Sequence, residues 1–333
     1  MIQPFKCLLF GAGTLFILMA GCHSGPDTEN NDQAHPGPEN DPHALFTLLP
    51  SDSTHITFNN QLTEGLNTNV LMYEYFYNGG GVAVGDMNGD GLQDVYFTGN
   101  MTENRLYLNK GHLQFEDITA EAGVAGRPGP WKTGVAIADV NGDGRPDIFV
   151  CYSGHVPGIK RLKQLFINEG NDTHGIPHFS EQAAQYGIVD SSYTTQAYFF
   201  DYDRDGDLDL LLLNHNPKNM PVLNEVSTAA IMKQQDPLCG VRLYRNEGGH
   251  FKDVTATSGL SSSSLSYGLG AGIADINGDG WPDIYISNDY AVPDCYYVND
   301  HKGRFVNRMQ ESFGHISQFS MGNNVADINN DGW

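Results

Sequence analysis

A nine-residue pattern occurs four times in full and once in part, and it leaves this chain few folds to choose from. The copies are 86–94 (DMNGDGLQD), 139–147 (DVNGDGRPD), 201–209 (DYDRDGDLD), 275–283 (DINGDGWPD) and 327–333 (DINNDGW). Each full copy has Asp at position 1, Asn or Asp at 3, Asp at 5, Gly at 6 and Asp at 9. Alternate side chains at 1, 3 and 5 can point into a tight loop. Gly at 6 takes the positive φ that lets the chain reverse. A hard cation such as Ca²⁺ takes about six to eight oxygens at roughly 2.3–2.6 Å. The side chains at 1, 3, 5 and 9 and the carbonyl of residue 7 can supply them. Without a cation, carboxylates about 5 Å apart repel by roughly 3 kcal/mol per pair at an effective dielectric near 20.

The expected ligand sets follow directly. They are Asp86, Asn88, Asp90, Leu92 and Asp94; Asp139, Asn141, Asp143, Arg145 and Asp147; Asp201, Asp203, Asp205, Asp207 and Asp209; and Asp275, Asn277, Asp279, Trp281 and Asp283. The partial copy offers Asp327, Asn329 and Asp331. A metal-free turn is the simpler alternative, since Asn-Gly and Asp-Gly favour hairpins. A turn needs two such residues, however, not four at fixed odd spacing. The EF-hand shares the opening pattern but needs Glu at position 12 and flanking helices. Position 12 is Phe97, Val150, Leu212 or Ile286, and the flanks are strand-like.

Before the loops stand residues 81–84, 134–137, 197–200, 270–273 and 323–326; after them stand 95–97, 148–150, 210–213 and 284–286. β-Branched and aromatic runs of this length read as strands. A third strand recurs at 106–109 (LYLN), 165–168 (LFIN), 243–246 (LYRN) and 296–299 (YYVN). A fourth follows at 115–119, around Phe179, at 251–255 and at 305–307. The loops start 53, 62, 74 and 52 residues apart. Four-stranded units at a period near 50 predict an all-β fold, a β-propeller of four-stranded blades.

These residues resemble the FG-GAP/VCBS repeats of integrin-α-type propellers. The fuller pattern, with LYxN, FxDVTxxAG and TGVAIADVNGDGRPD, is similar to the cartilage acidic protein group, often associated with an ASPIC/UnbV domain. The stretch 73–81 (YEYFYNGGG) resembles a bacterial surface-lipoprotein branch of that group. The resemblance covers about residues 45 to 333 and implies calcium in the acidic loops. The ASPIC/UnbV region itself is absent from this sequence. Its last loop stops before position 9, so the expectation is the front of a longer protein, an open ring of blades.

Net charge is −22, and sixteen of the 40 acidic residues lie in the loops. That balance argues against nucleic acid as a partner, because phosphate contacts need Lys and Arg. Residues 1–22 read as an export signal: Lys6, an apolar run, then Met19-Ala20-Gly21-Cys22. This ending is similar to a bacterial lipobox with Cys22 as the acylated residue; an ordinary secretory signal is the alternative. Residues 23–43 are a polar tether, and 44–333 form the repeat domain. The expected place is an exported lipoprotein at the bacterial outer membrane or cell surface. Cys151, Cys239 and Cys295 remain, read as buried free thiols or one pair and a thiol.

Two insertions stand out. Residues 214–240 include a helical pattern at 224–235, and 154–163 hold His155, Lys160, Arg161 and Lys163 in a stretch expected to be a solvated loop or an anionic-glycan contact. No GxSxG, HExxH or P-loop occurs. The leading functional expectation is a non-catalytic binding or scaffold module with a glycan or protein on a propeller face. A polysaccharide lyase or hydrolase is the alternative, with His155, Arg161 and His215 as candidates. A decayed gene product without a role of its own is a third.

Overall fold

A computed structural model describes residues 45–217, 224–290 and 292–330. The chain packs as two units, one up to Leu48 and one from Leu49 onward. In the second unit the described residues form four antiparallel sheets of four strands. The first holds β1 (Val82–Gly85), β2 (Asp94–Phe97), β3 (Arg105–Asn109) and β4 (Phe115–Asp117). The second holds β5 (Lys132–Ala138), β6 (Asp147–Tyr152), β7 (Gln164–Asn171) and β8 (Pro177–Glu181). The third holds β9 (Thr194–Phe200), β10 (Asp209–Asn214), β11 (Arg242–Asn246) and β12 (Phe251–Asp253), and the fourth β13 (Gly268–Ala274), β14 (Asp283–Asn288), β15 (Cys295–Asn299) and β16 (Phe305–Asn307). Every sheet is a meander in chain order.

Each of the four complete acidic loops closes the first hairpin of its sheet in one register. The residue before position 1 pairs with position 9: Gly85 with Asp94, Ala138 with Asp147, Phe200 with Asp209, and Ala274 with Asp283.

Successive sheets stack face to face, which explains why β6 and β10 are buried at every residue. Side chains alternate along a strand, so neighbours serve different cores. Ile148 and Val150 join Tyr96, Leu106 and Leu108 between the first two sheets. Phe149 and Cys151 face the other way, onto Leu210 and Leu212. Leu211 and Leu213 then reach Ile284 and Ile286. Among the described residues β2 has a sheet stacked on one side only, and it is buried only at alternate residues.

The first strands also meet one another, β1 with β5, β5 with β9, and β9 with β13. Glycine makes that approach feasible. A Cβ on Gly81 would sit 2.8 Å from the Val135 nitrogen, and one on Gly134 2.5 Å from the Thr195 carbonyl oxygen. Hydrogen bonds stitch the same edge: Gly81 N–H donates to Thr133 O (3.0 Å), Thr133 Oγ1 to Thr194 O (2.6 Å) and Thr195 Oγ1 to Gly268 O (2.8 Å).

Several expectations need correcting. The basic insertion is solvated only in part, with His155 and Lys160 exposed. Arg161 and Lys163 are buried: Lys163 pairs with Asp190 at 3.6 Å, and Arg161 lies 3.9 Å above the Tyr193 ring. The aliphatic stems and an internal counter-ion draw them inward, so neither can meet an anionic glycan. Among the described residues 323–326 form no strand, although they run beside β13, where Asn323 Nδ2 donates to Gly270 O at 3.2 Å. The helix of the 214–240 insertion is shorter than its pattern, spanning Glu225–Ile231 behind an Asn224 cap. Cys151 is a buried free thiol, as expected, whereas the free thiol Cys295 is only half-buried. Cys22, the export signal, the tether up to residue 43 and Asp331 lie outside the described residues.

Candidate functional site

The four complete loops share one internal geometry. The Asp at position 1 caps the turn, accepting backbone N–H groups from inside it. Asp86 accepts from Gly89 (2.8 Å), Asp90 (3.1 Å) and Gly91 (2.8 Å); Asp275 accepts from Gly278 (2.9 Å), Asp279 (3.0 Å) and Gly280 (2.8 Å). Asp139 accepts from Asp143 and Gly144, and Asp201 from Asp205 and Gly206. The Asp at position 5 accepts from the N–H of position 7: Asp90 from Leu92, Asp143 from Arg145, Asp205 from Asp207, Asp279 from Trp281. Gly at position 6 has φ between 84° and 97° in all four, as its role in the reversal requires. Position 4 is left-handed as well, and in the third loop the residue there is Arg204, with φ 59°.

Position 9 is buried in every full loop. Asp94 accepts from Met87 N–H (2.8 Å) and Asn109 N–H (2.8 Å). Asp147 accepts from Val140 and Asn168, and Asp209 from Tyr202 and Asn246. Asp283 accepts from Asn299 N–H (3.0 Å) and the Tyr296 hydroxyl (2.8 Å). Burial disfavours the charged form and pushes Asp94 and Asp147 up to about 6 and Asp209 up to about 7, despite these donors. Asp283 is raised by the same cause.

Position 3 tests whether these loops suit a cation. In three copies it is Asn, whose Nδ2 donates to the Asp at position 5: Asn88 to Asp90 (3.0 Å), Asn141 to Asp143 (2.9 Å), Asn277 to Asp279 (2.9 Å). In the third copy it is Asp203, which has no proton to give at neutral pH. Its Oδ1 is buried with no hydrogen-bond partner. Burial, with Asp205 and Asp201 nearby, raises its pKa. One ligand oxygen each from Asp201, Asp203 and Asp209 lies within 4.8 Å of the others. Three clustered carboxylates with an unpaired oxygen fit a divalent cation. In the partial copy, Asp327 and Asn329 are exposed.

The loops are tied to their neighbours by a residue that strand patterning leaves without a role. An Asn at or near the end of each third strand donates its side-chain amide to the carbonyl of position 8 in its own loop: Asn109 to Gln93 (2.9 Å), Asn168 to Pro146 (3.2 Å), Asn246 to Leu208 (3.2 Å), Asn299 to Pro282 (3.4 Å). Its recurrence at 109, 168, 246 and 299 is a visible signal in the sequence, because strands alone do not demand Asn there.

At the other end of the first strands lies a cavity of about 540 Å³. Tyr73, Tyr75, Tyr77, Trp131, Thr133 and Gln196 line it, and none of its lining residues is charged. Tyr77 is well exposed, whereas Tyr73, Tyr75 and Trp131 are buried and packed together. Behind that wall His215 is fully buried, with Tyr73, Tyr75 and Tyr193 around it. Burial pulls His215 down to about 3, so its imidazole is neutral. With His155 exposed and Arg161 buried against Tyr193, these three form no acid/base constellation among the described residues.

Sheets of this kind, each with an acidic loop in its first hairpin, define an all-β repeat protein. The FG-GAP-like repeat model matches residues 67–150, 234–286 and 275–333, more than half of the chain. The chain belongs to the FG-GAP-like repeat family. Cartilage acidic protein 1 of Xenopus tropicalis is 29% identical over 258 residues, covering 74% of this chain and 34% of that protein. The Homo sapiens protein of the same name is 28% identical over 213 residues, covering 64% and 28%. The chain thus spans about a third of the curated relatives it matches. Among solved structures, an Agrocybe aegerita lectin described as recognising non-reducing terminal N-acetylglucosamine matches with TM-score 0.37 and 18% identity, over 67% of this chain and 49% of that one. The V. cholerae biofilm matrix protein Bap1 matches with TM-score 0.35 and 15% identity, over 69% and 28%.

Proposed function

We propose that the chain is a calcium-stiffened, non-catalytic binding module whose four sheets are consecutive blades of a propeller. The observation that carries the calcium reading is Asp203. Its buried Oδ1 has no partner, and it stands among Asp201 and Asp209 within reach of one ion. Calcium would be held by positions 1, 3, 5 and 9 and the position 7 carbonyl, and it would offset the mutual repulsion of the carboxylates. Its role is structural, holding the first hairpin of each blade closed. The test is a calorimetric titration of metal-stripped protein with CaCl₂. Binding heat together with a rise in melting temperature supports the reading; no heat and no rise overturns it. At free calcium one hundred times Kd, a single site adds about 2.7 kcal/mol.

The partner, a glycan or a protein, is proposed to dock where the first strands begin, away from the loops. The uncharged cavity beneath Tyr77 favours a neutral, polyhydroxylated or aromatic-stacking ligand over an ionic one. Binding to a panel of neutral oligosaccharides, compared with Y77A, tests this. We further propose export and acylation at Cys22, placing the module on a bacterial surface; loss of lipid labelling in C22S is the expected result.

A further inference from the structure

We infer that Asn168, Asn246 and Asn299 are positioning residues that couple each acidic loop to the loop of the preceding sheet. The inference rests on the cation reading above. Each of these amides reaches across a sheet interface to the carbonyl of position 2 in the previous loop. Asn168 Nδ2 donates to Met87 O (2.9 Å), Asn246 Nδ2 to Val140 O (3.3 Å) and Asn299 Nδ2 to Tyr202 O (2.8 Å). All three side chains are buried, so water does not compete. The backbone N–H of the same Asn is held by position 9 of its own loop. The result is an unbroken series of contacts from Asp94 through Met87, Asn168, Asp147, Val140, Asn246, Asp209, Tyr202 and Asn299 to Asp283.

The carbonyl these amides grip belongs to the peptide joining positions 2 and 3. Position 3 is a ligand, so the grip sets the direction in which that ligand leaves the backbone. An ion that orders one loop fixes position 9, hence the Asn, hence the ligand at position 3 one sheet back. Coupling of this kind is reciprocal at equilibrium. One buried hydrogen bond of about 1 kcal/mol corresponds to about a fivefold change in affinity. A second strut joins the third and fourth loops, where Arg204 Nη1 donates to Gly280 O at 3.0 Å and its guanidinium lies 5.4 Å from the Trp281 ring. Asn109 is the internal comparison. It makes the same own-loop contact, and among the described residues no acidic loop precedes its own.

Terbium luminescence excited through tryptophan reads the fourth loop as the part of the signal that W281F removes, since Trp333 holds the same position in the partial loop. The experiment is a cycle in an R204A background, which removes the second strut. Asp205→Ala empties the third loop, with Asn299 either present or replaced by Ala. We expect D205A to weaken terbium at the fourth loop about fivefold when Asn299 is present, and less than twofold in N299A. An equal effect of D205A in both backgrounds overturns the coupling while leaving the cation sites standing. No terbium binding to the unmutated chain overturns both. Since Asn299 is buried, the same cycle is run at Asn246 by calorimetry, with N109A reporting the cost of the own-loop contact alone. Additive energies at Asn246 also overturn the inference.

Discussion

Lys163 Nζ lies 3.6 Å from Asp190 Oδ1, and neither side chain reaches solvent. Three carbonyl oxygens, of Tyr152, Arg161 and Ser192, take the three protons of Lys163. Asp190 accepts from Ser192 and from the Tyr244 hydroxyl (2.7 Å). The pair ties the basic insertion of the second sheet to the third sheet. Removing one partner of such a pair strands a buried charge. K163M is therefore expected to cost about 3–5 kcal/mol. K163M/D190N should cost much less than the two single changes summed, because no charge is then left unpaired. Urea denaturation of the three variants measures both quantities, and additive losses would mean that the pair does not interact.

The buried aspartates at position 9 make a prediction about pH. Asp94, Asp147 and Asp209 have folded values near 6, 6 and 7, above the unfolded value of about 3.9. A raised carboxylate favours folding while protonated. Its contribution is full below about pH 4 and is lost as pH rises through about 6 to 7. In chelator, these groups stabilise the chain as pH falls from 8 to 5. Calcium binds the ionised form, so its stabilising effect has the opposite slope. The calcium-induced rise in melting temperature should be larger at pH 8 than at pH 5. A calcium increment independent of pH would show that position 9 is not a ligand.

The loops were legible because their spacing is chemical. Four oxygen-bearing side chains at 1, 3, 5 and 9 constrain the backbone directly, and Gly91, Gly144, Gly206 and Gly280 take the expected left-handed conformation. The strands were legible from local patterning, and their sheets followed from the repeat. Contacts between repeats were not legible. Asn168 looks like the polar end of a strand until Met87 is found beside it. Lys163 reads as a surface lysine, because its partner Asp190 is 27 residues away and hidden by packing. Arg204 occupies a left-handed position where its sister loops use Gly or Asn, a strain that no composition rule announces.

Asp203→Asn separates the two roles of position 3. In the sister loops an amide at this position donates to the Asp at position 5. The amide introduced by the substitution would do the same toward Asp205, and one of the clustered negative charges would be gone. Without metal, the substitution should raise stability by about 1 kcal/mol. With calcium, the advantage should shrink or reverse, because a weaker ligand replaces a carboxylate. Melting curves in chelator and in calcium decide the matter. A loss of stability in chelator would mean that the unpaired Oδ1 is not a source of repulsion.

Gly134→Ala tests whether the first strands meet as closely as their hydrogen bonds require. The new Cβ would lie 2.0 Å from Gln196 Oε1 and 2.5 Å from the Thr195 carbonyl oxygen. The Gln196 side chain can swing away, but the carbonyl belongs to β9 and cannot move without disturbing the Thr133 and Thr195 contacts at that edge. The expected cost is about 1–3 kcal/mol, the usual range for an overpacked methyl group. It should persist unchanged in calcium, because the site is at the strand end remote from the loops. The same substitution should weaken any ligand of the adjacent cavity, since Thr133, Gly134, Thr195 and Gln196 all line it. A stability loss without a binding loss would locate the ligand elsewhere, whereas a neutral substitution would show that the second and third sheets sit farther apart than the contacts across this edge imply.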